Sequence, residues 1–169
     1  MSIEIERKYI IKKPDFESLR SQREYSVSDI LQIYLESESG VTHRVRRREY
    51  QGRTVFTETK KIRLDKMSAI EDEREIDREE FERLRKSIKA ETRPLLKSRH
   101  TFRVGNLCFE VDVYPEWEHT CIMEVELEDE GIAFDIPPFI EVIAEVTGNK
   151  AYSNASMSRS FPHESELNN

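Results

Sequence analysis

Six stretches of this chain place two like-signed charges on one face of an extended strand and apolar residues on the other. They are Glu4/Glu6, with Lys8 following, then Arg44/Arg46, Glu71/Glu73, Lys97/Arg99, Glu110/Asp112 and Glu124/Glu126. Alternation with a period of two is the strand signature. An ordinary half-exposed sheet mixes neutral polar groups with charges of both signs on its wet face. Here each strand tends to one sign, and acidic strands alternate with basic ones. In the first, Glu4, Glu6 and Lys8 share a face opposite Ile3, Ile5, Tyr9 and Ile11, with Arg7 the exception. Carboxylates ~6–7 Å apart at i,i+2 repel unless something sits between them. Mg²⁺ or Mn²⁺ is the simplest candidate, since both take carboxylate oxygens and leave room for phosphate oxygens.

A closed barrel reconciles the two faces, with apolar sides outward against helices and loops and charged sides inward. The expectation is an α+β chain built on an eight-stranded antiparallel β-barrel, a tunnel with a charged interior flanked by a few helices. Unpaired buried charge costs several kcal/mol, on the order of ~3–5 for a broken pair, so such an interior makes sense around a polyanion and a divalent cation.

Strands are expected over residues 28–36, 42–50, 53–64, 70–76, 92–104, 107–114 and 121–128, with Gly40, Gln51-Gly52 and Gly105-Asn106 as turns. Short helices are expected after Pro14, from Asp77 with Glu80 as a capping box, from Pro137-Pro138 through Phe139, Ile143 and Val146, and over residues 151–158. One domain, residues 1–160, is followed by a flexible tail, 161–169. The net charge of −7 argues against a general nucleic-acid binder. Five glycines, with no Walker-type or G-x-G-x-x-G pattern, leave phosphate binding to side chains. Cys108 and Cys121 lack metal-type spacing and read as small hydrophobes. No apolar run approaches the ~20 residues of a membrane helix. The expectation is a cytoplasmic protein with no membrane and no nucleic-acid partner, monomeric or homodimeric.

In order along the chain, the motifs resemble those of the CYTH superfamily, the triphosphate tunnel metalloenzymes. E-x-E-x-K is Glu4-Ile5-Glu6-Arg7-Lys8, R-x-R is Arg44-Val45-Arg46, T-x-K lies in Thr59-Lys60-Lys61, and the middle E-x-E is Glu71-Asp72-Glu73. K-x-R is Lys97-Ser98-Arg99, Asp112 is the aspartate of E-V-D-V, and the late E-x-E is Glu124-Val125-Glu126; Glu145-Val146-Thr147 and Tyr152-Ser153-Asn154 follow. The resemblance implies a tunnel that binds a triphosphate end-on with Mg²⁺ or Mn²⁺. It implies that Lys8, Arg44, Arg46, Lys61, Lys97, Arg99 and Lys150 hold phosphates. Glu4, Glu6, Glu124 and Glu126 would hold the metal, and Asp112 would complete that site or its surroundings. Glu71 and Glu73 would position a water or orient the bases.

Three points are open in the sequence. Parity favours Lys61 inward, while a bulge would turn Lys60 inward instead. Family members often have a basic residue where this chain has Ala69, and Arg74 is a candidate replacement. Tyr114 and Trp117 read as packing residues, with base stacking as the alternative. The function expected is a divalent-metal-dependent hydrolase that cleaves the terminal phosphoanhydride of a triphosphate, inorganic tripolyphosphate first. The alternatives are an adenylate cyclase making cyclic AMP from ATP and a non-catalytic polyphosphate-binding module.

Overall fold

The computed structural model describes residues 1–167. Strand β1 (Ser2–Lys12) leads through α1 (Phe16–Arg20) to β2 (Arg23–Leu35), β3 (Val41–Tyr50), β4 (Arg53–Arg63) and β5 (Ser68–Ile76). Helix α2 (Arg78–Leu84) precedes β6 (Leu95–Val104), β7 (Leu107–Val113), β8 (Thr120–Glu126) and β9 (Val142–Glu145), and α3 (Asn154–Arg159) lies near the end. The sheet runs β5-β4-β3-β2-β6-β7-β8-β1, and β1 pairs back to β5. All pairings are antiparallel, and the result is the closed eight-stranded barrel that the alternating faces require.

Closure rests on β1. Its first residues, Ser2 to Ile5, pair with Glu71 to Ser68 of β5. From Glu6 to Lys12 it pairs with β8 on its other edge. Beyond Ile5 the β5-side edge is therefore left open, and its backbone groups need partners. Met67 accepts from the Glu6 amide at 3.1 Å, and the Val146 amide donates to the Lys8 carbonyl at 2.8 Å. Strand β9 covers Tyr9 to Ile11. This corrects the expected helix after Pro137-Pro138: the segment is a turn at Ile140 and then a strand. Val142 and Ile143 are β-branched and suit extended backbone, and an open strand edge lay beside them.

Apolar outward faces are covered as expected. Tyr9, Ile11, Phe102, Phe109, Val111, Met123 and Val125 pack under Leu19 of α1 and Ile140. Ile33, Val45, Phe56 and Ile76 pack under Phe81 of α2. Helices α1 and α2 both start at an aspartate: Asp15 accepts from the Glu17 amide, and Asp77 from the Glu80 amide at 2.8 Å. The β3–β4 hairpin turns on Gln51 and Gly52, both at positive φ (51° and 72°), as a two-residue turn demands. The last helical region is split at Ser153, whose hydroxyl accepts from the Ser156 amide and caps α3.

The chain end departs from the expected flexible tail. Trp117 Nε1 donates to the Pro162 carbonyl at 2.9 Å, and the Phe161 ring lies 5.0 Å from the Trp117 ring. Glu164 accepts from the Glu118 and His119 amides, and Leu167 is buried. Phe161 and Leu167 supply the apolar surface that Tyr114, Trp117 and Met157 need, so residues 161–167 are part of the fold. Residues 168–169 of the expected tail lie outside the described residues. Both cysteines are free, and Cys121 is buried. No helix among the described residues is long and apolar enough to cross a membrane.

Candidate active site

The inward faces meet around a cavity of about 450 Å³. Four carboxylates line it, Glu4 and Glu6 from β1, Glu124 from β8 and Asp65 from the β4–β5 turn. Facing them are Arg44 and Arg46 of β3, Arg99 of β6, Lys8 and Lys61. Lys150 stands at the mouth, exposed. Strand register explains the layout. Lys8 is opposite Glu124, Glu6 is opposite Glu126, and Arg44 lies between Tyr34 on β2 and Thr59 on β4. Beyond the Lys8–Glu124 pair the same inward parity carries Ile10 and Ile122, which pack with Tyr114, Trp117 and Met157. Tyr114 and Trp117 are therefore core residues and offer no face to a base.

The acid wall is crowded with like charge. Burial, then Glu124 and Glu4, push the Glu6 carboxyl up to about 9. Burial likewise raises Glu126, with Glu110 and Glu4 adding to it, to about 7. Burial alone would raise Glu124 too, but Lys8, Arg99 and Lys97 outweigh it and hold it well below the usual range. Of the wall's carboxylates, Glu6 is thus the one whose charge is least favoured and Glu124 the one whose charge the bases support best.

The basic residues divide into two groups. Lys8 lies 3.4 Å from Glu124, Lys61 contacts the Glu4 carboxylate, and Arg99 pairs with Glu110 at 2.7 Å and Asp112 at 2.8 Å. Arg44 and Arg46 have no carboxylate partner among the described residues. Arg46 is held by the Gln32 amide oxygen, through Nε at 3.1 Å and an Nη at 2.8 Å. The Arg44 Nε is buried without a hydrogen-bond partner. Burial, then Arg44 and Arg99, lower Arg46 to about 9. These two are the cations ready for an anion.

Several expected site residues stand elsewhere. Asp112 is fully buried and accepts from Lys97 Nζ at 2.7 Å and from Arg99 Nε and Nη at 2.8 and 2.9 Å. It lies off the cavity lining and neutralises the two bases that donate to it. Lys97 lies behind the lining on the same pair. Burial lowers Lys97 to about 7 in spite of Asp112. Asp112 itself, which burial would raise, is held at about 2 by Arg99 and then Lys97. Arg99 is the larger of the two influences that keep Asp112 ionised. Glu71 lies outside the lining, its Oε2 buried without a hydrogen bond 4.0 Å from Lys61 Nζ. Glu73 is exposed and accepts from the Thr59 hydroxyl at 2.8 Å, so it is not placed to position a water in the cavity. Glu126 also lies off the lining, beside Glu110.

The open points resolve by orientation. Lys61 lines the cavity and Lys60 is exposed on the outer face. Arg74 also faces outward, bound to Glu58 and Glu80, and does not replace the base missing at Ala69. The residue opposite Ala69 is Arg63, and it lines the cavity. Arg63 shares the parity of Lys61, which is the signal that would have found it. Tyr34 is likewise in phase with Arg44. Lys66, Asn149 and Ser153 reach the mouth from loops and turns, and Asn154 from the start of α3, where no strand period applies.

Among the described residues no three histidine, cysteine, aspartate or glutamate side chains converge as a finished metal centre. The donor set still suits an oxygen-seeking divalent cation. Glu4, Glu6 and Glu124 line one cavity, and Lys8 and Lys61 beside them offset only part of their mutual repulsion. Mg²⁺ binds through one or two carboxylates, keeps waters and takes phosphate oxygens, so a finished cage is not needed.

A closed antiparallel barrel with acids and bases facing each other across its interior defines a tunnel for a polyanion. No protein-family model matches the chain, and no curated protein does. Solved structures do match. The inorganic triphosphatase NE1496 is 28% identical, with 96% of this chain and 98% of that one covered at a TM-score of 0.61. The PH1819 protein from Pyrococcus horikoshii OT3 is 21% identical over 76% of this chain and 80% of that one, TM-score 0.60, a likeness of fold. A conserved hypothetical protein from Pyrococcus furiosus is 24% identical over 75% and 80%, TM-score 0.54, again a likeness of fold. The structural neighbours are CYTH-type proteins, in keeping with the motifs.

Proposed function

We propose that this chain is a divalent-metal-dependent hydrolase that cleaves the terminal phosphoanhydride of a triphosphate, with inorganic tripolyphosphate the preferred substrate. The observation that carries this reading is the pair Arg44 and Arg46, cationic and without carboxylate partners, facing Glu4, Glu6 and Glu124 across one cavity. The match to an inorganic triphosphatase over nearly the full length of both chains supports it. The cavity lining holds a single aromatic ring among the described residues, Tyr34, whose hydroxyl accepts from Gln32. A nucleotide base has little to stack on there, which favours an inorganic chain.

Phosphoryl transfer asks mainly for alignment and charge neutralisation. Arg44 and Arg46 would grip and turn the phosphates, Arg46 by the open side of its fork. Lys8 and Lys61 stand between the acid wall and the phosphate chain and would bridge the two. Glu4, Glu6 and Glu124 would hold the cation. A bound divalent cation would supply charge neutralisation to the phosphate oxygens. A glutamate of the acid wall freed of its proton would accept one from the attacking water.

The test is phosphate release from tripolyphosphate by the purified protein with Mg²⁺ or Mn²⁺, with ATP beside it and the Glu4→Ala/Glu6→Ala variant as control. Metal-dependent release from tripolyphosphate that the variant loses is the expected result. No release from either substrate would overturn the hydrolase reading.

A further inference from the structure

Resting on that reading, we propose that Gln32 is a positioning residue: it holds Arg46 toward the phosphates while leaving its charge uncancelled. Gln32 is fully buried. It is the polar residue at the centre of an otherwise apolar run, Ile30 to Leu35, broken on the same face only by Tyr34. Its Cα partners are Arg46 on β3 and Leu95 on β6.

Hydrogen-bond roles fix the amide's orientation. A guanidinium only donates, so the oxygen must face Arg46, and it accepts from both Nε and an Nη. The amide nitrogen then donates to the Tyr34 hydroxyl at 2.6 Å. Tyr34 is opposite Arg44, so the uncharged Gln32–Tyr34 pair lies along both arginines. One edge of the Arg46 fork is locked by neutral contacts, and the rest is left for an anion.

The choice of an amide is what makes the device work. Lys8, Lys61 and Arg99 lean on carboxylates, which orient them and also neutralise them. A carboxylate in place of Gln32 would accept the same two hydrogen bonds and remove the free charge. Burial and the neighbouring Arg44 and Arg99 already disfavour the Arg46 cation, and a bound phosphate would relieve that strain.

The test is steady-state phosphate release from tripolyphosphate with saturating Mg²⁺ or Mn²⁺, comparing wild type with Gln32→Glu and Gln32→Met. Gln32→Met keeps the volume, drops both contacts and adds no charge. Its KM is expected to rise about tenfold, the worth of hydrogen bonds to a charged group, with kcat changed less. Gln32→Glu keeps the contacts, cancels the charge and is expected to raise KM more than Gln32→Met does. A merely structural role would lower the melting temperature of both variants without this order in KM. If Gln32→Glu does not fold, Gln32→Met decides alone. Folded variants with wild-type KM overturn the proposal and leave the hydrolase reading intact. A wild type that releases no phosphate overturns the hydrolase reading itself.

Discussion

Replacing Asp112 by asparagine should unbalance the barrel interior in a calculable way. The carboxylate is buried and takes three hydrogen bonds from Lys97 and Arg99. Its fall from 3.8 to about 2 corresponds to about 2 kcal/mol of folded-state stabilisation. Removing one partner of a buried pair costs more, about 3–5 kcal/mol, because the other charge stays behind. Arg99 keeps Glu110 as a partner, and Lys97, already near 7, can release its proton. Both effects favour the lower figure, about 3 kcal/mol, or a melting temperature lower by about 6–12 °C for a chain of this size. Calorimetry at pH 7.5, with and without tripolyphosphate, reads it directly. The ligand should recover part of the loss, because it supplies the missing negative charge. A variant melting within about 2 °C of wild type would refute the assignment of Asp112 as the interior's main counter-charge.

Acid should act through the same carboxylate. Its folded pKa lies below the unfolded value, so the unfolded chain takes up the proton first. The stability it contributes is present above about pH 4 and disappears as pH falls toward 2, so the gap between wild type and Asp112→Asn in urea melts should close over that window. Stripping divalent cations with a chelator should abolish phosphate release, and adding back Mg²⁺ or Mn²⁺ should restore it; release indifferent to the chelator would exclude a metal role. Arg46→Ala should raise KM for tripolyphosphate by about tenfold to a hundredfold, the worth of charge-assisted hydrogen bonds, with little change in melting. Gly148 sits at φ 75°, and an added Cβ would lie 2.9 Å from Lys66 Cβ and 3.2 Å from its Cα. Gly148→Ala should cost about 1–3 kcal/mol and raise KM by displacing the mouth, as melting and kinetics will show.

The period-two pattern made the barrel legible, because a one-residue slip would put every glutamate of β1 outside. It also placed Glu4, Glu6, Lys8, Arg44, Arg46, Lys61, Arg99 and Glu124 on one interior. What it could not show is partnership. Asp112 and Arg99 are each in phase with the interior, but which cations remain free depends on register across strands. Asp112, expected to complete the metal site or its surroundings, stands as the counter-ion of Lys97 and Arg99. Strand β9 was hidden for a different reason. Its four residues carry too short a pattern, and the cause of its extension is an open edge on β1, more than 130 residues away by sequence, as in the Lys8–Thr147 contact with its separation of 139. Gln32 was hidden by being neutral in a chain read through its charges.

The way β1 closes the barrel has a consequence for how the chain comes to be made. Only the first four residues of β1 pair with β5; from Glu6 onward the strand finds its neighbours in β8 and β9, so most of it must wait for the end of the chain. Closing a loop that long is entropically slow, and contacts of such separation come late in folding. Until then β3 and β4 carry Arg44, Arg46 and Lys61 while Glu6 and Glu124 are not yet facing them. A half-made chain therefore displays its anion grip before its acid wall, and any abundant polyanion nearby would find that grip exposed.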